Sequence, residues 1–227
     1  MRQELTLRNG QMVEVRQLGM EQLPEILSLQ ERVYAALDTK EFLEPLKEQE
    51  FAYILGGKGI MLGVYLDGKL IAFRAMMEPD VNEEEHLGLD VGLAKEEFPT
   101  VLYSEITNVD PEQRGNSLQR ILGKILLSEI DQEKHRYICT TVAPFNIASL
   151  KDKLDLGMHI VSLKEKYGTK MRYILMKNLT ARPVYRAAAV FITMGNIERQ
   201  QEMLKKGWVG VGIVLEEDEW KVEFRKI

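Results

Sequence analysis

The sequence predicts an α/β (α+β) fold, and three observations carry that expectation. A β-branched, apolar run, Val101–Val109, stops at Asp110-Pro111, and a polar turn then leads to apolar residues at Leu118, Ile121, Leu122, Ile125, Leu126 and Ile130. That is a strand, a loop and an amphipathic helix. Asp67-Gly68-Lys69 stands between two apolar runs, 60–66 and 70–77, and Asp-Gly in that setting signals a hairpin. Up to Met77 the pattern reads β-α-α-β-β, so helices and strands are interleaved.

Composition bounds the class. A chain of 227 residues is one large or two small domains, and 45% hydrophobic with 29% charged residues are globular values. The net charge of -5 gives no basic footprint, so nucleic acid is not an expected partner. The single cysteine, Cys139, lies in an apolar run; it excludes an intramolecular disulfide and fits a reducing cytoplasm, with a small core residue as its plain role. Neither a signal peptide nor a bilayer-long apolar run is evident, so a cytoplasmic protein without membrane attachment is expected.

In chain order, Leu5 and Leu7, the turn Asn9-Gly10, and Val13, Val15 and Leu18 read as a hairpin or first strand. Leu23, Ile26, Leu27, Val33, Tyr34 and Leu37 recur at helical spacing. A second helical pattern, from Phe42 through Leu46 and Phe51 to Ile54, ends at Gly56-Gly57. After the hairpin, residues 78–100 lapse into an acidic segment with Glu83-Glu84-Glu85-His86 and Asp90. Carboxylates beside a histidine can hold a metal, but such runs are more often solvated loops, and no metal is expected. The strand Val101–Val109 places Glu105, Thr107 and Val109 on one face by its two-residue period. After the long helix come a strand at 137–142, a helix opened by Pro144-Phe145-Asn146, and a hairpin of 158–163 with 170–179.

The turn into the long helix carries its own chemistry. The first amides of a helix lack intrahelical partners and lie at the positive end of its dipole. Gly115 allows close backbone approach, Asn116 and Ser117 are N-cap types, and Arg114 adds a cation, so the turn could cradle a phosphate or pyrophosphate. An ordinary strand-to-helix turn has the same residue types.

Arg114-Gly115-Asn116-Ser117-Leu118-Gln119, after a strand ending in Val109-Asp110-Pro111, resembles the Gln/Arg-x-x-Gly-x-Gly/Ala signature of the GCN5-related N-acetyltransferase (GNAT) superfamily. Ser117 stands for the Gly and Gln119 for the Gly/Ala. Asn146-Ile147-Ala148-Ser149-Leu150 followed by Leu156-Gly157-Met158 is similar to the family's next helical segment, and the likeness covers about 13–179. The resemblance implies a GNAT-like mixed, mostly antiparallel central sheet flanked by helices over residues 1–180. It implies acetyl-CoA as acyl donor, with cofactor contacts at Thr107, Asn108, Val109, Arg114, Gly115, Asn116, Ser117, Leu118, Asn146 and Ser149. Glu105 would be the general base. Lys153 stands where the family has a tyrosine acid, which leaves Tyr167 or Tyr103 to protonate the departing thiolate, or water to do so. Arg172 could bind an acceptor carboxylate. Each has a plainer reading: Glu105 as a solvent-facing or paired charge, Asn146 as a helix cap, and Tyr167 as a packed rim residue beside a glycine turn.

Residues 181–227 exceed what that fold needs. Residues 184–192 read as a strand, 197–206 as a helix, and 209–224 as two strands about Glu216-Glu217-Asp218, giving a small C-terminal β-α-β extension that packs on or extends the sheet. Asn196-Ile197, Leu204 and Gly207-Trp208 echo the spacing of Asn146-Ile147, Leu154 and Gly157-Met158. Such an extension could serve a subunit interface in a homodimer. The function implied is transfer of an acetyl (acyl) group from acetyl-CoA to a primary amine, on a small molecule or a peptide, by direct attack with general-base assistance. The alternative is a non-catalytic relative that senses CoA or holds a protein partner. Ser117 and Lys153 favour the alternative, whereas Arg114-Gly115, Glu105 and Asn146 favour the enzyme.

Overall fold

A computed structural model describes residues 2–227. Strands β1 (Arg2–Thr6) and β2 (Met12–Gln17) are followed by helices α1 (Leu23–Ala35) and α2 (Glu48–Tyr53). Next come β3 (Gly59–Leu66), β4 (Lys69–Met77), the short α3 (Leu87–Asp90), β5 (Val101–Val109) and α4 (Leu118–Glu129). The chain continues through β6 (Tyr137–Val142), α5 (Ile147–Asp155), β7 (His159–Lys166) and β8 (Lys170–Asn178), then β9 (Val190–Thr193), α6 (Ile197–Lys205), β10 (Trp208–Glu216) and β11 (Glu219–Lys226). It divides into two compact units: one holds the chain up to Pro79 and Tyr103–Ile130, the other Asp80–Leu102 and Asp131–Ile227.

In the first unit the strands run β1-β2-β3-β4-β5, each antiparallel to its neighbour. The expected Asp-Gly hairpin joins β3 to β4, with Asp67 (φ 50°) and Gly68 (φ 78°) both left-handed, the conformation that matches strand twist. Ile26, Leu29 and Val33 of α1 and Phe51 of α2 form the core with Met61, Phe73, Ala75 and Ile106 of the sheet. The rings of Phe51 and Phe73 meet edge-on, 5.8 Å apart. Leu118, Leu122 and Leu126, four residues apart, are buried on α4, which packs on β3 and β4. The second helical pattern is shorter than its spacing suggests. Pro45 disfavours helix in the residue before it, so only Glu48–Tyr53 is α-helical, and the chain leaves it through a wider turn at Ile54–Lys58 with Gly57 at φ 100°.

In the second unit the order is β6-β8-β7-β10-β11-β9, again antiparallel throughout, with α5 packed on β10 and α6 on β7 and β10. The C-terminal residues thus extend the sheet of their unit, by the pairing of Gly210 with Ile160. Their first strand is only Val190–Thr193, not 184–192; Pro183 brings no amide donor to a ladder, and residues 179–189 are irregular. The carboxylates Glu84 and Glu85 of the acidic segment are exposed, as a solvated loop would have them, but the residues that follow are ordered. His86 is buried and stacked on Phe98 with ring centroids 4.0 Å apart, and its Nδ1 accepts from the Gly88 amide at 3.0 Å. Burial lowers the imidazole pKa against the opposing pull of Asp90, consistent with a neutral ring. Lys164 and Lys166 of β7 pair with Asp90, and the Tyr137 hydroxyl donates to Glu97 at 2.8 Å. Among the described residues no group of three or more His, Cys, Asp or Glu is placed to hold a metal ion, and no helix is long and apolar enough to cross a membrane.

Candidate functional site

Strand β5 alternates as its sequence requires: Ser104, Ile106 and Asn108 are buried, Glu105, Thr107 and Val109 half-buried. The ladder with β4 is interrupted at one point. Met76 pairs with Ser104 and Ala75 with Ile106, so the register shifts by one residue at Glu105, a β-bulge. A bulge bends the strand and re-aims its side chain, and such irregularities gather beside active sites. One turn further, Thr107 Oγ1 and both amide atoms of Asn108 are buried without a hydrogen-bond partner. Buried polar atoms left open cost about 1–3 kcal/mol each, so they mark places where a water or ligand completes the set.

The loop after β5 is held from one side. Asp110 is buried; its Oδ1 accepts from the Glu112 amide (3.2 Å), and its Oδ2 lies 3.3 Å from Arg32 Nη2 and 3.4 Å from Lys69 Nζ. Burial alone would raise this carboxyl's pKa, but the Glu112 amide, Lys69 and Arg32 outweigh it and hold it below the usual value. Beyond it, Arg114 is exposed and its side chain makes no ion pair or hydrogen bond among the described residues. Gly115 is left-handed (φ 85°), with open space where a Cβ would stand. Asn116 turns back to Gln113, its Nδ2 3.4 Å from both the carbonyl and Oε1.

Ser117 occupies the N-cap position of α4 but adopts φ 59°, ψ 22°, and its side chain caps nothing. The N-cap role that residue type suggests for Asn116 and Ser117 is therefore filled by neither. The first turn of α4 thus receives no cap from the Ser117 side chain and lies beside the exposed Arg114, while Leu118 anchors the turn in the core. Arg74, fully buried on β4, fixes the same turn by donating from Nη1 to the Gln119 carbonyl (3.1 Å) and from Nη2 to Ser104 Oγ (3.2 Å). This arrangement can take a phosphate-like anion.

On the second unit, Asn146 caps α5: its Oδ1 accepts from the Ser149 amide at 3.3 Å, so the capping alternative is the one the geometry displays. Ser149 is half-buried in the first turn. Lys153 is buried with its Nζ 3.3 Å from Asp152 Oδ2. Tyr167 lies in the β7-β8 turn at φ 53°, largely exposed, its hydroxyl 3.1 Å from Thr141 Oγ1. Arg172 is buried and donates to the Met171 carbonyl at 3.0 Å.

No protein-family model matches the sequence, and comparison with curated proteins finds no match. Solved structures do match. The GNAT domain of S. lividans PAT aligns over 78% of this chain and 96% of its own at 15% identity, with a TM-score of 0.55. The ribosomal-protein-S18-alanine N-acetyltransferase from Escherichia coli aligns over 78% and 100% at 17% identity and a TM-score of 0.56. The PaiA N-acetyltransferase from Thermoplasma acidophilum, solved in complex with coenzyme A, aligns over 73% and 98% at 13% identity and a TM-score of 0.51. This chain has the GNAT fold.

Within the GNAT fold, two residues of the first unit escaped the sequence reading. Arg74 was visible only as a charge in the middle of the apolar run 70–77, and Asp110 only as half of a turn dipeptide. Both brace the loop from beneath rather than line it, and bracing depends on long-range partners, Gln119 for one and Arg32 for the other.

Proposed function

We propose that the protein transfers an acetyl group from acetyl-CoA to a primary amine. The observation that carries this reading is the start of α4, where Ser117 makes no side-chain cap and follows the left-handed Gly115, beside an exposed Arg114 whose side chain makes no ion pair among the described residues. Coenzyme A offers a pyrophosphate for the amides at the helix start and for the guanidinium. Thr107 to Val109 would supply backbone and, at Thr107 and Asn108, open polar atoms along the pantetheine arm. Glu105, aimed by its bulge, would take a proton from the acceptor ammonium. The free amine then attacks the thioester carbonyl; the tetrahedral oxyanion collapses with cleavage of the C–S bond, the nitrogen gives up its extra proton to solvent as the amide forms, and the departing CoA thiolate takes up a proton. Tyr167 is the proposed donor of that proton, and Asn146 and Ser149 are proposed cofactor contacts.

The test is calorimetric titration with acetyl-CoA, wild type beside Arg114→Glu. Binding in the micromolar range that the variant loses supports the site; equal affinity of the two removes Arg114 from it. Glu105→Gln should lower turnover more than affinity, and full activity there would eliminate Glu105 as the base. A second reading, a CoA-binding protein without turnover, is favoured by Lys153, which sits buried against Asp152 where the family has its tyrosine acid. Binding without acetylation of any amine tried, and with Tyr167→Phe behaving as wild type, would select it.

A further inference from the structure

The second unit is built twice. The succession β6-α5-β7-β8 recurs as β9-α6-β10-β11, and the two helices, Ile147–Asp155 and Ile197–Lys205, begin and end 50 positions apart. The correspondence reaches single hydrogen bonds. Asn146 Oδ1 accepts from the Ser149 amide and Asn196 Oδ1 from the Arg199 amide; the Gly157 amide donates to Leu154 and the Gly207 amide to Leu204. Gly157 and Gly207 have φ of 79° and 77°. Val161 is the bulged residue between β7 and β8, and Val211 that between β10 and β11. Both hairpins turn through two left-handed residues, Tyr167-Gly168 and Glu217-Asp218.

The sheet order, β6-β8-β7-β10-β11-β9, reads the same from either end once the copies are exchanged. At its centre the equivalent strands β7 and β10 run antiparallel, and the registered pair is Ile160 with its own counterpart Gly210. Pairing of equivalent residues in opposite directions is the mark of a two-fold axis, as in an isologous dimer. The helices obey it too: α5 packs on β10 and α6 on β7.

Symmetry fails at the axis. A Cβ on Gly210 would lie 2.9 Å from Ile160 Cβ, so one position is large because the other has no side chain. A second chain offering its own β7 would set Ile160 against Ile160, which that spacing does not admit. The copy has also lost the candidate chemistry, with Glu217 for Tyr167, Phe191 for Thr141 and Arg199 for Ser149, and it braces the first copy instead. The Phe145 amide contacts Met194 Sδ (3.1 Å), Lys151 Nζ lies 4.8 Å over the Trp220 ring, and Gln201 Nε2 donates to the Leu163 carbonyl (3.0 Å).

We propose that residues 190–226 are an internal copy of residues 137–178 that occupies, within one chain, the place of a two-fold related subunit on the β7 edge, so that this edge takes no second chain and the protein is a monomer. The test uses the full chain and needs no acetyl-CoA, so it fails or succeeds apart from the acetyltransferase reading. Light scattering should give the mass of one chain, 26.1 kDa; a stable two-chain species overturns the proposal. Thermal unfolding of Gly210→Ile, Ile160→Gly and the exchanged double variant tests the axis. Each single variant should lower the Tm, one by crowding and one by a cavity, and the exchange should recover most of the summed loss. Losses that simply add would show the two positions are not equivalent. Should Gly210→Ile fail to fold, Gly210→Ala combined with Ile160→Gly makes the same comparison.

Discussion

The hydroxyl of Tyr173 donates to Oε1 of Gln200 over 2.7 Å, with both side chains fully buried, and Gln200 Nε2 passes the chain on to the Met194 carbonyl at 2.8 Å. Burial pushes the phenol pKa up against the opposing effect of Gln200, so Tyr173 stays a donor at all ordinary pH. Tyr173→Phe leaves the Gln200 oxygen dry and unpaired, and should cost about 1–3 kcal/mol in a denaturant titration. Adding Gln200→Leu should recover only part of that loss, because it removes the unpaired oxygen but takes the donor from the Met194 carbonyl. A double variant as weak as the sum of both singles would mean the bond contributes nothing.

Asp110 ties α1, the β3-β4 hairpin and the loop before α4 through Arg32, Lys69 and the Glu112 amide. Its cationic partners are partly exposed, so Asp110→Asn should cost only about 1–2 kcal/mol at pH 7. The folded-state pKa lies below the unfolded value, so the contribution is complete above the unfolded pKa and fades as pH falls through the folded one. Melting curves of wild type and variant should therefore differ at neutral pH and converge under acid. A gap that persists at the lowest pH would assign it to packing instead.

Periodicity made much of the fold legible. The alternation of β5, the Asp67-Gly68 turn and the four-residue spacing of Leu118, Leu122 and Leu126 are local signals that the structure keeps. Pro45 cut a helix that spacing alone had drawn through it, and the acidic segment found order because His86 stacks on Phe98 and β7 supplies two lysines. The echo between Asn146 and Asn196 was visible as four matching positions, but nothing local says that two such motifs pair strand to strand about Ile160 and Gly210. The site was legible as a motif and illegible as a conformation. Residue type made Ser117 a cap, whereas the backbone turned it left-handed and its side chain caps nothing.

Ser117 at φ 59° carries the steric cost of a Cβ in the left-handed region. Ser117→Gly removes that cost, while the freer unfolded chain takes back part of the gain, so a net stabilisation of about 0.5–1 kcal/mol is expected. Because no side-chain cap is lost, acetyl-CoA affinity should hold or rise. A destabilised variant would show that the serine hydroxyl has a role the geometry does not reveal.

Cys139 is fully buried on β6, and burial, with Asp90 adding to it, pushes the thiol pKa up to about 12. The thiolate is the reactive form, so native protein at pH 8 should leave this thiol untouched by a disulfide reagent. Denaturant should expose one reactive thiol per chain. Rapid native labelling would require that β6 open far more readily than its place between buried neighbours allows.

Lys166 is the buried cation that fastens the acidic segment: its Nζ lies 3.1 Å from Asp90 Oδ2 and 2.9 Å from Glu85 Oε2. Burial pulls its pKa down, but Glu85 and Asp90 outweigh that and raise it overall, so the ion pair's contribution persists until pH rises through the folded-state pKa. Glu85 is mostly exposed and adds little, which leaves Asp90 as the partner that matters. Lys166→Met should cost about 3 kcal/mol, the penalty being a buried carboxylate shared only with the half-exposed Lys164. Lys166→Met with Asp90→Leu removes both buried charges, returns Lys164 to water, and should restore most of the stability. Proteolysis of the 80–100 segment reads the outcome locally: it should be rapid in the single variant and slow again in the double. If the single variant is cleaved as slowly as the wild type, the segment is held by the His86–Phe98 stack and the ion pair is incidental.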